Sequence, residues 1–226
     1  MPSEAMNKII TMPLKDEAFQ DLERMIVNGE LAPGQWVSET DLIEASGHTR
    51  APVRSAIQRL ADEGLLRIVA RRGAQVCPID HTEQFRSLEL RRVVERLVAR
   101  SAAERATDAQ RRELSEIADG FRAVGTTGDQ AAMTELDARC FALLITAADN
   151  KFAARSLTSV KGLSRRFWVL NQERHGDIHQ MFNAHAAVAD AVSKGNGDAA
   201  AIAVDSLIDY VEEFTLRVIG FRSSKA

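Results

Sequence analysis

Cysteine is almost absent: Cys77 and Cys140 are the only two in 226 residues, and no CxxC pair occurs. This excludes a disulfide framework and a cysteine-built zinc module, and a bond between the two is not expected. Long apolar runs are missing too. No stretch approaches the ~20 continuous apolar residues of a membrane helix. The opening MPSEAMNKIITMPL lacks the basic start, apolar core and small-residue cleavage site of a signal peptide. The expectation is a cytoplasmic protein with reduced thiols and no membrane partner. Aromatics make up 5% of the chain, with one Tyr and two Trp. Alanine is abundant, which favours closely packed helices. Catalytic patterns are equally scarce: there is no Ser-His-Asp order, no phosphate-cradling glycine loop and no convincing carboxylate pair. An enzyme is therefore not expected. A small helical enzyme with a basic scaffold domain is the alternative from that class. The length suits two modest domains.

What is present centres on residues 38–64. Ser38 is a plausible N-cap ahead of Glu39–Ala45, and Gly47 sits where that helix must end. Pro52 fits the first turn of a second helix, where its missing N–H costs nothing. In that helix Val53, Ile57 and Leu60 recur at i, i+4 and i+7 and mark a buried face. Arg50, Arg54 and Arg59 fall elsewhere, the first two one turn apart. A helix that buries one face and offers guanidinium groups from its opening turns suits the DNA major groove. An ordinary helical hairpin with a solvated basic face is the bland alternative.

The next residues weaken that alternative. Leu65–Ala70 and Ala74–Cys77 read as paired strands, joined by Arg71-Arg72-Gly73 with glycine where φ > 0 is needed. Across 48–79, six arginines stand against Asp62 and Glu63, a charge of +4 in a chain whose total is −3. Local positive charge is what phosphate neutralisation requires. The runs Gly29–Gly34, Ser38-Glu39, Thr49–Arg54, Arg59–Leu65 and Arg72–Val76 occur in the order seen in GntR-family transcription regulators, whose winged helix this stretch resembles. The resemblance implies DNA contacts from Thr49, Arg50, Pro52, Arg54, Arg59, Arg72 and Gly73.

Residues 1–12 read as a flexible arm, 13–78 as the winged-helix domain, 79–82 as a linker and 83–220 as a helical effector and dimerisation domain. The first helix should bury Leu14, Ala18, Leu22, Met25 and Ile26 and end near Asn28-Gly29. Trp36-Val37 can add a strand to the wing. Beyond Thr82 the pattern predicts a mainly α fold: six helices, or slightly more, in an antiparallel bundle. These run from Thr82 to about Thr107, from Asp108 through Phe121, around Met133–Ile145, from Lys151 to about Leu170, over Ile178–Val192 and over Ala199–Ile219. Gly125–Gly128 and Ser193–Asp198 read as loops, and Gly176-Asp177 as a break.

This half resembles the effector domain of the FadR branch of the same family. Leu88–Glu95 with Ala102–Ala106, Asp137 through Asn150, and His185–Val188 carry the likeness. The resemblance implies a divalent metal held by one aspartate and three histidines, helping to bind an organic acid. Here the aspartate is Asp137 and one histidine is His185, but Phe141 and Leu207 stand where the others belong. A two-residue slip would instead bring in Asp209. No cofactor is favoured; a depleted metal site would use Asp137, His185 and Asp209. Without metal, Arg91 and His185 could hold an anion directly, with Phe141 as a wall, since a guanidinium binds carboxylates bidentately. Arg91 could equally pair inside the protein, with Glu95 or Asp137. His175 and His179 share an i, i+4 spacing broken by Gly176-Asp177. Arg165–Trp168 could line a cavity or an interface, or simply form a packed turn.

Together these features predict a homodimeric, ligand-responsive regulator, expected to be a repressor. Its partners would be double-stranded DNA at a palindromic operator and a small anionic metabolite. A metal-dependent or metal-sensing regulator of the same fold is the alternative.

Overall fold

The computed structural model describes residues 12–220; the expected arm at 1–12 lies almost entirely outside them. The chain divides into two compact units, Met1–Pro78 and Ile79–Ala226.

The first unit contains helix α1 (Leu14–Val27), strand β1 (Trp36–Val37), α2 (Glu39–Ser46), α3 (Arg50–Asp62), β2 (Leu66–Val69) and β3 (Gly73–Val76). The Ser38 hydroxyl accepts from the Asp41 N–H, while the Asp41 carboxylate accepts from the Ser38 N–H, a capping box that starts α2. Gly47 ends it with φ 72°, a left-handed conformation that glycine adopts freely. Ala18, Phe19, Leu22 and Ile26 of α1 are buried, as are Val53, Ala56 and Leu60 of α3. Two positions depart from expectation. Leu14 opens α1 on its solvent side, and Ile57 is only half-buried because Ala56 takes the central place. The antiparallel sheet runs β1-β3-β2, with Trp36 opposite Gln75 and Leu66 opposite Val76. Strand β2 is shorter than the apolar pattern suggested, and β3 begins and ends one residue earlier.

The second unit is built from α4 (His81–Arg105), α5 (Asp108–Thr127), α6 (Gln130–Ala148), α7 (Lys151–His175), α8 (Ile178–Ser193) and α9 (Gly197–Val218). Its core joins Leu88, Phe121, Phe167, Phe182, Ile208 and Phe214. Three boundaries correct the sequence reading. Helix α4 starts at His81, because the Asp80 carboxylate, not Thr82, caps it by accepting from the N–H groups of Thr82 and Glu83. Helix α5 runs on to Thr127: Gly125 is an interhelical contact, where a Cβ would lie 3.4 Å from Phe182, and only Gly128 (φ 71°) terminates the helix. Helix α7 continues to His175. The single tyrosine secures the following turn, the Tyr210 hydroxyl accepting from the Asp177 N–H and donating to the Asp177 carbonyl, each at 2.8 Å. Val93 and Leu97 of α4 are exposed and share a face with Leu90.

Candidate functional sites

The candidate DNA-binding surface is the N-terminal part of α3 with the wing. Arg50 and Arg54, one turn apart, are 69% and 65% exposed. Glu39, at the start of α2, holds both: its two carboxylate oxygens lie 3.0 Å and 2.6 Å from the Nε atoms of Arg50 and Arg54. The tight turn at Gly47 makes that pairing possible. Thr49 occupies the N-cap position of α3, is exposed and makes no capping hydrogen bond with its side chain. Pro52 lies in the first turn, where no intrahelical acceptor is lost. His48 anchors the turn by a 2.8 Å contact with Asp21 on α1.

Arg59 does not join this set. Its guanidinium lies 3.5 Å from the Phe19 ring centroid and pairs with Glu63 at 3.0 Å and Asp16 at 3.5 Å. It braces α3 against α1, since its place along the helix turns it away from Arg50. In the wing, Arg71 itself takes a left-handed conformation (φ 65°) and Gly73 has φ 95°. A Cβ on Gly73 would meet the Val37 carbonyl oxygen at 2.7 Å, so the close approach of β3 to β1 requires glycine. Arg72 lies over Trp36, 5.8 Å from its ring centroid. Trp36 and Glu39 are contributors that sequence patterns left unassigned to this surface.

The second candidate site is a cavity of about 120 Å³ inside the helical unit, enclosed by side chains of α4, α6, α7, α8 and α9. Its walls are mostly apolar, with Val98, Leu144, Leu157, Met181 and Leu207 among them. Arg91, Asp137, Phe141 and His185 all line it, so those sequence candidates come together. Arg91 also pairs internally, as the alternative had it: Nε donates to Glu95 and Nη1 to the Ser164 hydroxyl, both at 2.6 Å. His185 stacks on Phe121 with centroids 5.3 Å apart, and its Nδ1 is 3.9 Å from the Asp137 carboxylate. Burial pushes the imidazole below its ordinary pKa, which leaves it neutral at neutral pH and removes it as a source of charge for an anion.

Lys161 is the residue that sequence reading missed. Its Nζ is 3.4 Å from Asp137 and 3.7 Å from the Phe141 ring centroid, and Arg165 approaches the same carboxylate at 3.7 Å. Burial alone would raise the Asp137 pKa, but Lys161 foremost, then His185 and Arg165, outweigh it and hold the carboxyl down at about 2. Burial pushes Lys161 below its usual value, while Asp137 opposes the change. One signal was available: Leu157, Lys161, Ser164, Arg165 and Trp168 fall at the i, i+4, i+7, i+8 and i+11 positions of one inward helix face.

The donor set does not fit the divalent metal that the resemblance implies. Asp137 and His185 supply one oxygen and one nitrogen ligand. Phe141 and Leu207 present carbon, and an ammonium already lies against the carboxylate. Asp209 is no substitute: it is 64% exposed, pairs with Arg92 at 2.7 Å and does not line the cavity, because the helix turns it away from buried Leu207. Cys140 adds nothing, as burial pushes its thiol up to about 12. Among the described residues no group of three or more His, Cys, Asp or Glu is placed to hold a metal ion. His175 ends α7 and His179 lies in α8, across the break at Gly176-Asp177.

A winged helix with exposed arginines on its second helix, in one chain with a helical unit enclosing a charged cavity, is the architecture of a DNA-binding transcription regulator. Comparison with known proteins gives the family. Residues 14–76 match the gntR family of bacterial regulatory proteins, and residues 86–210 match the FCD domain. The chain belongs to the GntR family of transcription regulators, in the branch that carries an FCD domain. It is 27% identical over 203 residues to the HTH-type transcriptional repressor RspR of Escherichia coli, covering 90% of this chain and 89% of that one. It is 25% identical to the galactonate operon transcriptional repressor of the same organism, covering 88% and 95%. The fold is that of E. coli McbR/YncC, with a TM-score of 0.75 at 15% identity over 92% of this chain and all of the other. No helix among the described residues is long and apolar enough to cross a membrane.

Proposed function

We propose that the protein is a ligand-responsive repressor that binds a palindromic operator as a homodimer in the cytoplasm and senses a small organic anion in its helical unit. The observation that carries the sensing is the cavity, where three cations, Arg91, Lys161 and Arg165, outnumber the carboxylates of Glu95 and Asp137 in a largely apolar wall. Buried cations in an apolar pocket are costly unless they serve a purpose, and binding a carboxylate is the chemistry they suit. Repression is supported by the names of two relatives. Dimerisation is supported by Leu90, Val93 and Leu97, three exposed apolar side chains on one face of α4. It is also what a single wing-and-helix unit needs in order to gain specificity, since two half-sites multiply its few contacts. In this reading Thr49, Arg50, Pro52 and Arg54 enter the major groove, while Arg72 and Gly73 place the wing on the backbone or minor groove. Ile79 and Asp80, ahead of α4, connect the two functions.

The test is titration of the purified protein with DNA recovered by binding-site selection, at several salt concentrations. With about three to five phosphates neutralised per protomer, the log–log slope should lie on the order of −5 to −9. A slope near zero would sink the DNA reading, and a selected site without two-fold symmetry would sink the dimeric one.

A further inference from the structure

Charge inside the cavity is unevenly matched. Three cations, Arg91, Lys161 and Arg165, face two carboxylates, Glu95 and Asp137. Glu95 is committed to Arg91 at 2.6 Å, and Ser164 takes a second Arg91 donor. Asp137 therefore serves both Lys161, at 3.4 Å, and Arg165, at 3.7 Å. Both distances exceed the ~2.7–2.9 Å of a closed charge-assisted hydrogen bond. One positive charge is left without an anion of its own: Lys161 and Arg165 share one loose carboxylate, and of the two Lys161 lies closer to it and is the less exposed, 19% against 26%.

The position of that ammonium is as informative as its surplus charge. It touches Asp137 on one side and the face of Phe141 on the other, at 3.7 Å from the ring centroid. Cation–π attraction and the carboxylate hold it at the polar end of the cavity. A divalent ion beside Asp137 would have to displace this ammonium or accept its repulsion. The remainder of the wall is apolar, and about 120 Å³ leaves room for about ten water-sized atoms.

We propose that Lys161 is a tethered cation that does the work of a metal ion in this cavity, and that the ligand it meets is a small monocarboxylate with an apolar body. This rests on the ligand-sensing reading above and adds the group that binds the acid and the ligand's charge. One carboxylate completes the charge balance. A second carboxylate would bury a negative charge against Glu95 or the apolar wall with no cation left to meet it.

The experiment uses the full chain, with calorimetry and thermal melting as readouts. Butyrate, hexanoate and benzoate serve as monoanions, succinate and phthalate as dianions, benzamide as the neutral isostere of benzoate, and Zn²⁺ alone as the metal. At least one monoanion should bind and raise the melting temperature, EDTA should leave its affinity unchanged, and benzamide and Zn²⁺ should not bind. Lys161→Met should weaken the bound monoanion about ten- to hundredfold, as loss of one charged hydrogen-bonding group does. Lys161→Arg should recover most of that loss, and both variants should keep their helical circular dichroism and their DNA affinity. A dianion or Zn²⁺ binding more tightly than every monoanion would overturn the proposal, as would unchanged affinity in Lys161→Met or equal binding of benzamide and benzoate. Each of those outcomes leaves ligand sensing itself standing. Silence from every probe would take down ligand sensing and this proposal together.

Discussion

At the candidate site of each unit a carboxylate braces two cations, and the two arrangements differ mainly in what surrounds them. On the DNA-binding surface Glu39 holds Arg50 and Arg54, whose side chains are largely exposed. In the helical unit Asp137 holds Lys161 and Arg165, and its own side chain is only 19% exposed. Water screens the first set, so each pair contributes on the order of 0–1 kcal/mol and is readily exchanged for phosphate oxygens. The second set is largely buried, where separated charges interact more strongly and a lost partner is less readily replaced by water. In the proposed function the same chemistry serves a surface that lets go of its acid to grip DNA and an interior that receives one anionic guest.

The contrast can be broken most forcefully at Asp137. Asp137→Ala leaves Lys161 and Arg165 facing each other in the interior and should destabilise the helical unit by about 3–5 kcal/mol, read from denaturant unfolding of the full chain. A loss below about 1 kcal/mol would mean that the cluster is as well solvated as the surface set.

Acid should act on the interior and spare the surface. Asp137 is held near 2, below an unfolded value near 4, so the stability it contributes is present above pH ~4 and is lost as pH falls towards 2. That loss should reach about 2 kcal/mol. His185, whose pKa burial lowers, adds to it from a higher pH: below about 6.5 the unfolded imidazole takes a proton that the folded one resists, so stability already declines there. Melting temperature against pH, compared between wild type and His185→Gln, separates the two. A profile flat from pH ~7 to pH ~5 in the wild type would contradict the neutral, buried His185.

Smaller effects are expected on the exposed side. Arg54→Ala should cost about 1–3 kcal/mol of DNA affinity per half-site and relax base preference, whereas Arg72→Ala should weaken all sequences about equally and reduce the salt slope by ~1 per half-site. Binding-site selection on the two variants distinguishes them, and unchanged preference in Arg54→Ala would remove α3 from the major groove.

The least perturbing change is Glu39→Gln, the surface counterpart of the Asp137 substitution. It should alter folding stability by less than about 1 kcal/mol and leave DNA affinity equal or higher, because both arginines lose only a screened partner. A large stability loss would show that the surface set behaves as a buried one, and the contrast between the units would fail.

Much of the DNA-binding unit is legible in the order of its residues, because its signals are local. Ser38, Gly47 and Gly73 specify caps and turns through their own backbone preferences, and Val53 and Leu60 mark a face through spacing alone. The boundaries that sequence patterns misplace have non-local causes or depend on side-chain reach: Gly125 reads as a loop residue until Phe182 is seen against it, and Asp80 displaces Thr82 as a cap by reach alone.

The candidate cavity divides the same way. The resemblance to known effector domains brought out Arg91, Asp137, Phe141 and His185, which the fold assembles. It offered no reason to single out Lys161, which lies 24 residues along the chain from Asp137 and meets it only because α6 and α7 line one cavity. Arg59 failed in the opposite sense: it belongs to the right helix and the right charge class, but Phe19 and Glu63 claim it.

By itself the sequence determined the elements, the caps and turns of the DNA-binding unit, the sheet of the wing and the concentration of positive charge, since periodicity, glycine and proline preferences and net charge act over a few residues. Tertiary structure alone decided which charges are neutralised, which are free and which lie out of reach of water. Those properties depend on distance and on the surrounding medium, and neither is written in the order of the residues.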